Sequence, residues 1–214
     1  MVQKKHSAGV RSPGRPRSYD PATALRRATD AFWGTGFAGT SLDQISAATG
    51  MNRPSLQAAF GGKRELYLKA LTHYWDLKFA TMREALESDL PLDQALMRAY
   101  EAALSIYFSE DERARGCFVV STALTEAMED PVIRDSVRDG FERLDGRFEE
   151  RFNRAQQVGE LGASAGPRAL AALASAVMHS IAVRARAGTN HSDLAELARH
   201  GIDLICGRNS GFSA

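Results

Sequence analysis

The passage from Thr40 to Phe60 reads Thr-Ser-Leu-Asp-Gln-Ile-Ser-Ala-Ala-Thr-Gly-Met-Asn-Arg-Pro-Ser-Leu-Gln-Ala-Ala-Phe and leaves its backbone few choices. Ser41 and Gln44 stand at capping-box spacing, in which the serine oxygen accepts an N–H three residues on and the glutamine side chain returns to the serine N–H. A helix is therefore predicted to start at Leu42, with Ile45 and Ala48 facing inward. Gly50 falls where that helix must stop, since glycine enters the left-handed region without a Cβ penalty. Asn52 is placed to cap a second helix, on which Leu56 and Phe60, four apart, would pack back against Ile45. Two short helices joined by a tight glycine turn, from about Ser41 to Phe60, make a helix-turn-helix whose second helix has its outer face free for a DNA major groove. The competing reading is an ordinary hairpin in a helical bundle. It requires capping box, glycine turn, exposed second helix and flanking basic residues to coincide by chance.

From Asp20 onward the signals are helical throughout. Strand-like alternation is absent, and the longest β-branched run, Val119-Val120, sits in a segment that continues at helical spacing through Leu124 and Met128. Asp20-Pro21 supplies an N-cap and a proline at the first helical position; Leu25, Ala28 and Phe32 mark one face, and Gly34 or Gly36 ends that helix. Further helices are predicted at about 63–87, 91–108 and 117–129. Asp130-Pro131 repeats the opening signal for a long helix whose apolar residues Ile133, Val137, Phe141, Leu144, Phe148, Phe152 and Ala155 recur at helical spacing as far as Gly159 or Gly162. Pro167 opens another helix to Gly188, and Ser192 is expected to cap a last one ending at Gly207. The expected fold class is all-α: an N-terminal three-helix domain carrying the helix-turn-helix, then a helical domain for ligand binding and dimerisation, about nine to ten helices in all.

A chain of 214 residues with 44% apolar content has material for a sizeable core. No run approaches the roughly eighteen apolar residues of a membrane span. The start Met-Val-Gln-Lys-Lys-His lacks the apolar region of a secretory signal, so a cytoplasmic protein without a membrane partner is expected. Cys117 and Cys206 lack C-x-x-C spacing, His179 has no histidine or carboxylate at ligand spacing, and His73 has a lone Asp76 three residues on, too few groups for a site; no disulfide framework, metal or cofactor is expected. The net charge of +1 divides unevenly. Residues 1–70 carry eleven Lys and Arg against four Asp and Glu, whereas residues 71–214 carry sixteen against twenty-two. A basic end on a mildly acidic body suits a chain of which only that end meets a polyanion, although a solvated basic tail gives the same pattern. Residues 1–19 are rich in Gly, Pro and basic side chains without apolar periodicity and read as a disordered arm.

Gly36-Phe37, Thr40-Ser41, Ile45, Gly50, Leu56, Phe60 and Lys63-Arg64-Glu65-Leu66 together resemble the DNA-binding domain of TetR/AcrR-type transcriptional regulators over about residues 21–70. Beyond that, the likeness is one of helical layout. The resemblance implies a DNA-binding domain at 20–66, a recognition helix at 53–59 with Arg53, Ser55, Gln57 and Ala58 turned to DNA, and phosphate contacts from Thr40, Ser41 and Lys63. Arg53 would then read guanine O6 and N7 with both arms of its fork, and Gln57 would read adenine. Two positions depart from the family pattern: Gln57 stands where Tyr is usual, and Pro54, also in the DNA-binding set, replaces a commoner small residue at a position that tolerates proline. Gly14-Arg15-Pro16-Arg17 resembles the core of AT-hook peptides, which implies that Arg15 and Arg17 enter a narrow minor groove. A solubilising tail is the alternative.

Residues 67–214 exceed what is needed to support three helices, and the expectation is an effector-binding and dimerisation domain. Trp75, Phe79, Met82, Tyr100, Leu104, Tyr107, Phe108, Cys117, Phe118, Met128, Phe141 and Met178 would line an apolar pocket between helices, or serve as plain core. Cys117, at a helix start after Arg115-Gly116, is either a reactive sensor or a buried thiol. Small residues take nearly every second position of 168–187, which allows close helix approach. By the resemblance, the last two helices, 167–206, pair with those of a second copy through Leu170, Leu173, Ala174, Val177, Ile181, Leu194, Leu197, Ile202 and Ile205.

The function expected is a homodimeric, ligand-responsive transcriptional regulator, a repressor that leaves a palindromic operator in double-stranded DNA when a small apolar effector binds the body. The alternatives are an architectural DNA-binding protein without effector, and an enzyme. The enzyme reading lacks any nucleophile–base pattern, phosphate-binding glycine loop or metal cluster.

Overall fold

The computed structural model describes residues 20–108, 114–162, 164 and 166–208. The basic arm, with Arg15 and Arg17, lies outside them. Among the described residues the architecture is all-helical: α1 Pro21–Gly39, α2 Leu42–Thr49, α3 Arg53–Phe60, α4 Lys63–Glu87, α5 Leu92–Tyr107, α6 (Val119–Ala123 continued by Leu124–Glu126), α7 Pro131–Gln157, α8 Pro167–Arg186 and α9 His191–Ile205. No described helix is long and apolar enough to cross a membrane.

Local chemistry sets most of these boundaries. The Asp20 carboxylate accepts the Ala22 and Thr23 N–H groups at the head of α1. The helical path breaks at Gly36, φ +75°, so the terminus anticipated there is real, and one further turn leads to Thr40. Both arms of the Ser41–Gln44 capping box are formed, at 3.2 and 2.7 Å. Gly50 closes α2 in the left-handed conformation, φ +72°, where any Cβ would be strained. The Asn52 side chain then accepts the Ser55 N–H at 2.9 Å to start α3. Ala48, expected to face inward, is exposed. The buried residue is Thr49, whose hydroxyl donates to the Ile45 carbonyl at 2.7 Å and so enters the core satisfied.

Two elements differ from expectation for identifiable reasons. The 117–129 segment is not a regular α-helix: Val119–Ala123 forms a π-helical turn. One additional residue in a turn rotates everything after it by about 100°. Val119, Thr122, Ala123 and Ala127 accordingly face inward, while Leu124 and Met128 face solvent. At the last helix, Asn190 is the cap, accepting the Asp193 N–H at 2.9 Å, and Ser192 lies inside the first turn.

One core runs the length of the molecule. The α1–α3 unit joins the body through rings: Phe32 and Phe37 each meet Tyr67 at 5.1 Å between centroids, and Trp33 meets Tyr74 at 5.2 Å and Phe118 at 5.5 Å. Edge-to-face contacts of this kind add to the area buried. Helix α4 is continuous through the expected 66/67 boundary, so it belongs to both units. Further along it, Trp75 lies against Gly140 of α7, at a spot where any Cβ would collide with the indole.

Candidate nucleic-acid interface

Helix α3 buries Leu56 and Phe60, which turns Arg53, Pro54, Gln57 and Ala58 outward as one exposed stripe with Ser55 half-buried at its edge. Pro54 sits in the first turn, where its missing N–H would have had no helical acceptor. Arg53 is not free in the isolated chain. Its Nε and Nη2 donate to the two oxygens of Asp43 on α2 at 2.9 and 2.6 Å. That hydrogen-bonded fork, then its Coulomb attraction, raises the Arg53 pKa and lowers that of Asp43. Both side chains are exposed, so solvent screens the pair and another acceptor can compete for it. A carboxylate and the O6/N7 edge of guanine present the same planar double acceptor. Asp43 thus holds the Arg53 guanidinium in a planar, bidentate geometry. No sequence motif marks this contact; its only sequence signal is an acidic residue in the first turn of α2.

The phosphate-contact set divides. Ser41 is exposed, and because its oxygen accepts the Gln44 N–H, its own hydrogen is left to donate outward. Lys63, at the head of α4, stands 4.5 Å above the Phe37 ring, which fixes its stem near α3. Thr40 departs from expectation: it is buried, its hydroxyl donates to the Gly36 carbonyl and meets the Thr35 hydroxyl at 2.7 Å, and its N–H goes to Phe37. Its side chain secures the end of α1 and has no outward donor. Next along the chain, Arg64 forks onto Asp130 at 2.6 and 3.0 Å, and Asp130 in turn caps α7 through the Val132 and Ile133 N–H groups. The Arg64 hydrogen bond is the main cause of the lowered Asp130 pKa. Arg115 makes a second cross-link, to Asp30 of α1 at 2.9 Å while lying over Trp33.

In the body, Trp75, Phe79, Met82, Tyr100, Leu104, Tyr107, Cys117, Phe118 and Met178 are buried, and Phe108 and Phe141 partly so. Met128 is a correction: at 79% exposed it lines no interior site. Open grooves of about 870 and 810 Å³ flank Phe108, the first walled by Trp33, Tyr74, Leu77 and Arg115. Neither is lined by the rest of the expected set. Cys117 is a free thiol accepting the Tyr74 hydroxyl hydrogen at 2.9 Å, enclosed rather than presented. The expected dimer residues also divide. Ala174, Ile181, Leu194, Ile202 and Ile205 are buried within their own chain, and Leu170, Val177 and Leu197 are half-buried. The apolar groups left outside are Leu173 (47% exposed), Val183 (52%) and Leu204 (66%). On α8 the outer stripe runs Ala169, Leu173, Ala176, the half-buried Ser180 and Val183, mostly small side chains that allow close helix approach.

Comparison with known proteins matches both ends of this architecture. Residues 24–70 match the family model described as bacterial regulatory proteins, tetR family, and residues 93–201 that described as tetracyclin repressor-like, C-terminal domain. The uncharacterized HTH-type transcriptional regulator YezE of Bacillus subtilis is 30% identical over 148 residues, 69% of this chain and 76% of its own. The HTH-type transcriptional repressor ComR of Escherichia coli is 26% identical over 189 residues, 88% of this chain and 90% of its own. Among solved structures, a cysteine mutant of the TetR family transcriptional regulator CifR bound to 26-bp operator DNA superposes with a TM-score of 0.80 at 30% identity, covering 88% of this chain and 98% of that one.

Proposed function

The chain belongs to the TetR family of DNA-binding transcriptional regulators, and on that premise we propose that it is a homodimeric repressor which leaves a palindromic operator when a small molecule binds its body. The observation carrying the DNA-binding half is the outward stripe Arg53, Pro54, Gln57 and Ala58 with the Arg53 fork already shaped to a planar double acceptor. CifR, similar along nearly its whole length, is named in complex with operator DNA, and ComR is named a repressor. In this reading residues 20–66 engage DNA, with the arm 1–19 reaching the minor groove through Arg15 and Arg17. Residues 67–214 sense the effector and dimerise. One recognition helix covers only a few base pairs, and a two-fold dimer doubles the contact and fits a palindrome. The surface offered for pairing is the outer stripe of α8 with Leu204 of α9, in place of the inward residues of those helices.

Release requires that the effector prefer a conformation in which the two recognition helices no longer match the half-site spacing. The Arg64–Asp130 and Asp30–Arg115 cross-links tie α1 and α4 to the body and are the contacts through which such a preference would reach α3. Operator titration by fluorescence anisotropy tests the reading. Promoter DNA is expected to bind about a thousandfold or more tighter than random DNA at physiological salt. Equal affinities with a steep salt dependence would favour an architectural protein instead.

A further inference from the structure

Lys78 is fully buried on α4. Its ammonium has three hydrogens and, among the described residues, one hydrogen-bond partner, the Tyr107 hydroxyl at 3.3 Å, with the Trp75 and Tyr107 ring centres 5.9 and 5.8 Å away. No carboxylate forms an ion pair with it among the described residues. A buried charge without a counter-charge is costly, and burial lowers the Lys78 pKa accordingly. Among the described residues, three further buried polar atoms on α4 and α8 have no protein partner: Trp75 Nε1, nearly one turn before Lys78 on the same helix, His179 Nε2 on α8, and Ser175 Oγ one turn before His179. Trp75 and Ser175 are both more than nine-tenths buried. The elements converge: His179 lies 4.6 Å from the Phe141 ring, and Phe141 meets Trp75 edge-on at 6.0 Å. Burial first, then the Lys78 charge, pushes the His179 pKa down to about 4, so the imidazole is neutral at physiological pH and adds no second positive charge.

We propose that Lys78 is the anion receptor of the effector site and that the effector is a small monocarboxylic acid with an apolar tail. The proposal rests on the ligand-responsive reading above and names its ligand class. The carboxylate would accept from the Lys78 ammonium, and the Tyr107 hydroxyl and Trp75 Nε1–H are the further donors at hand. A single cation matches a single negative charge, which disfavours a phosphate dianion. The rings of Trp75, Phe79 and Phe141 offer an apolar surface for the tail. The way in is the groove of about 870 Å³, whose wall includes Leu77 and Tyr74, the residue one turn before Lys78. The ligand would widen the packed interior from there, making a minor conformation dominant.

Thermal unfolding of the full-length protein is followed with sodium octanoate and benzoate, and with octanamide and benzamide as neutral matches. At least one acid is expected to raise Tm by roughly 5–10 °C at about a hundred times its Kd, and its amide to act at least tenfold more weakly. In Lys78→Met the acid should act no better than the amide. Trp75→Phe, which removes the Nε1 donor together with part of the ring, should weaken the acid about threefold or more while lowering the amide's effect less, and it serves where the methionine variant does not fold. Acid and amide acting alike, equal acid response in wild type and Lys78→Met, or no response to either acid would each overturn the proposal. Operator binding by the wild type is measured in parallel, so loss of the regulator reading is seen separately.

Discussion

In the proposed DNA complex Arg53 would arrive already holding an acceptor, and that shapes what its substitution should do. Arg53→Ala should cost about tenfold to a hundredfold in operator affinity, concentrated at one base position, while Lys63→Ala should weaken all sequences alike and reduce the salt slope by about one. Asp43→Ala removes a carboxylate from the DNA-facing side and frees the guanidinium. Affinity for random DNA should rise while discrimination between operator and random DNA falls; anisotropy titrations on both DNAs read this, and unchanged discrimination would show that Asp43 does not position Arg53. His179 makes a second residue-scale prediction. Its folded pKa of about 4 lies below the usual value of 6.5, so between those limits the unfolded chain binds more protons. Stability should therefore be free of this term above about pH 6.5 and fall as the pH drops toward 4. His179→Leu should flatten Tm across that window, and an unchanged slope would assign the dependence elsewhere. Neither Asp43 nor Lys78 was legible in the sequence, because an isolated Asp or Lys on an amphipathic helix reads as solvated surface. Only the neighbours brought by folding give them roles.

Element boundaries were far more legible, since proline, glycine and short polar caps act within four residues. Gly36, Gly50, Asn52, Asp20 and Asp130 each do what their local chemistry implies. The failures have local causes too. Asn190, His191, Ser192 and Asp193 include three good cap residues within four positions, and only the backbone decides among them. The π-helical turn at Val119–Ala123 breaks the phase on which an inward Met128 depended. Faces of α8 were ambiguous for another reason: alanines lie on both sides, so periodicity cannot say which face meets the same chain. At Gly140 the packing is readable from the structure alone. Gly140→Ala gains helix propensity of up to about 1 kcal/mol but forces Trp75 out of its place, at a typical overpacking cost of about 1–3 kcal/mol. The net result should be a Tm lower by several degrees with altered tryptophan emission; an unchanged spectrum would mean that the indole does not rest there.

At the scale of the molecule, the DNA-reading end was legible as a unit because its signals are dense and local, whereas the body's sensing role was inferred mainly from resemblance and spare length. The dimer was the weakest expectation, as five of the nine residues named for it face inward. Leu173→Glu with Val183→Glu, both on exposed positions, should leave the fold intact, shift the protein to monomer in analytical ultracentrifugation, and reduce operator affinity at least a hundredfold. A double variant that remains dimeric would place the contact elsewhere.

Helix α4 is one unbroken rod of 25 residues with its head beside α3 and its far half packed among the helices of the body. At 1.5 Å per residue it is about 37 Å long, comparable to the roughly 34 Å between successive major-groove faces of B-DNA. Pivoting such a rod by about 5° swings its tip by about 3 Å, the length of one hydrogen bond. On the proposed function, a lever of that reach would convert a movement smaller than a side chain into the difference between reading a base edge and missing it.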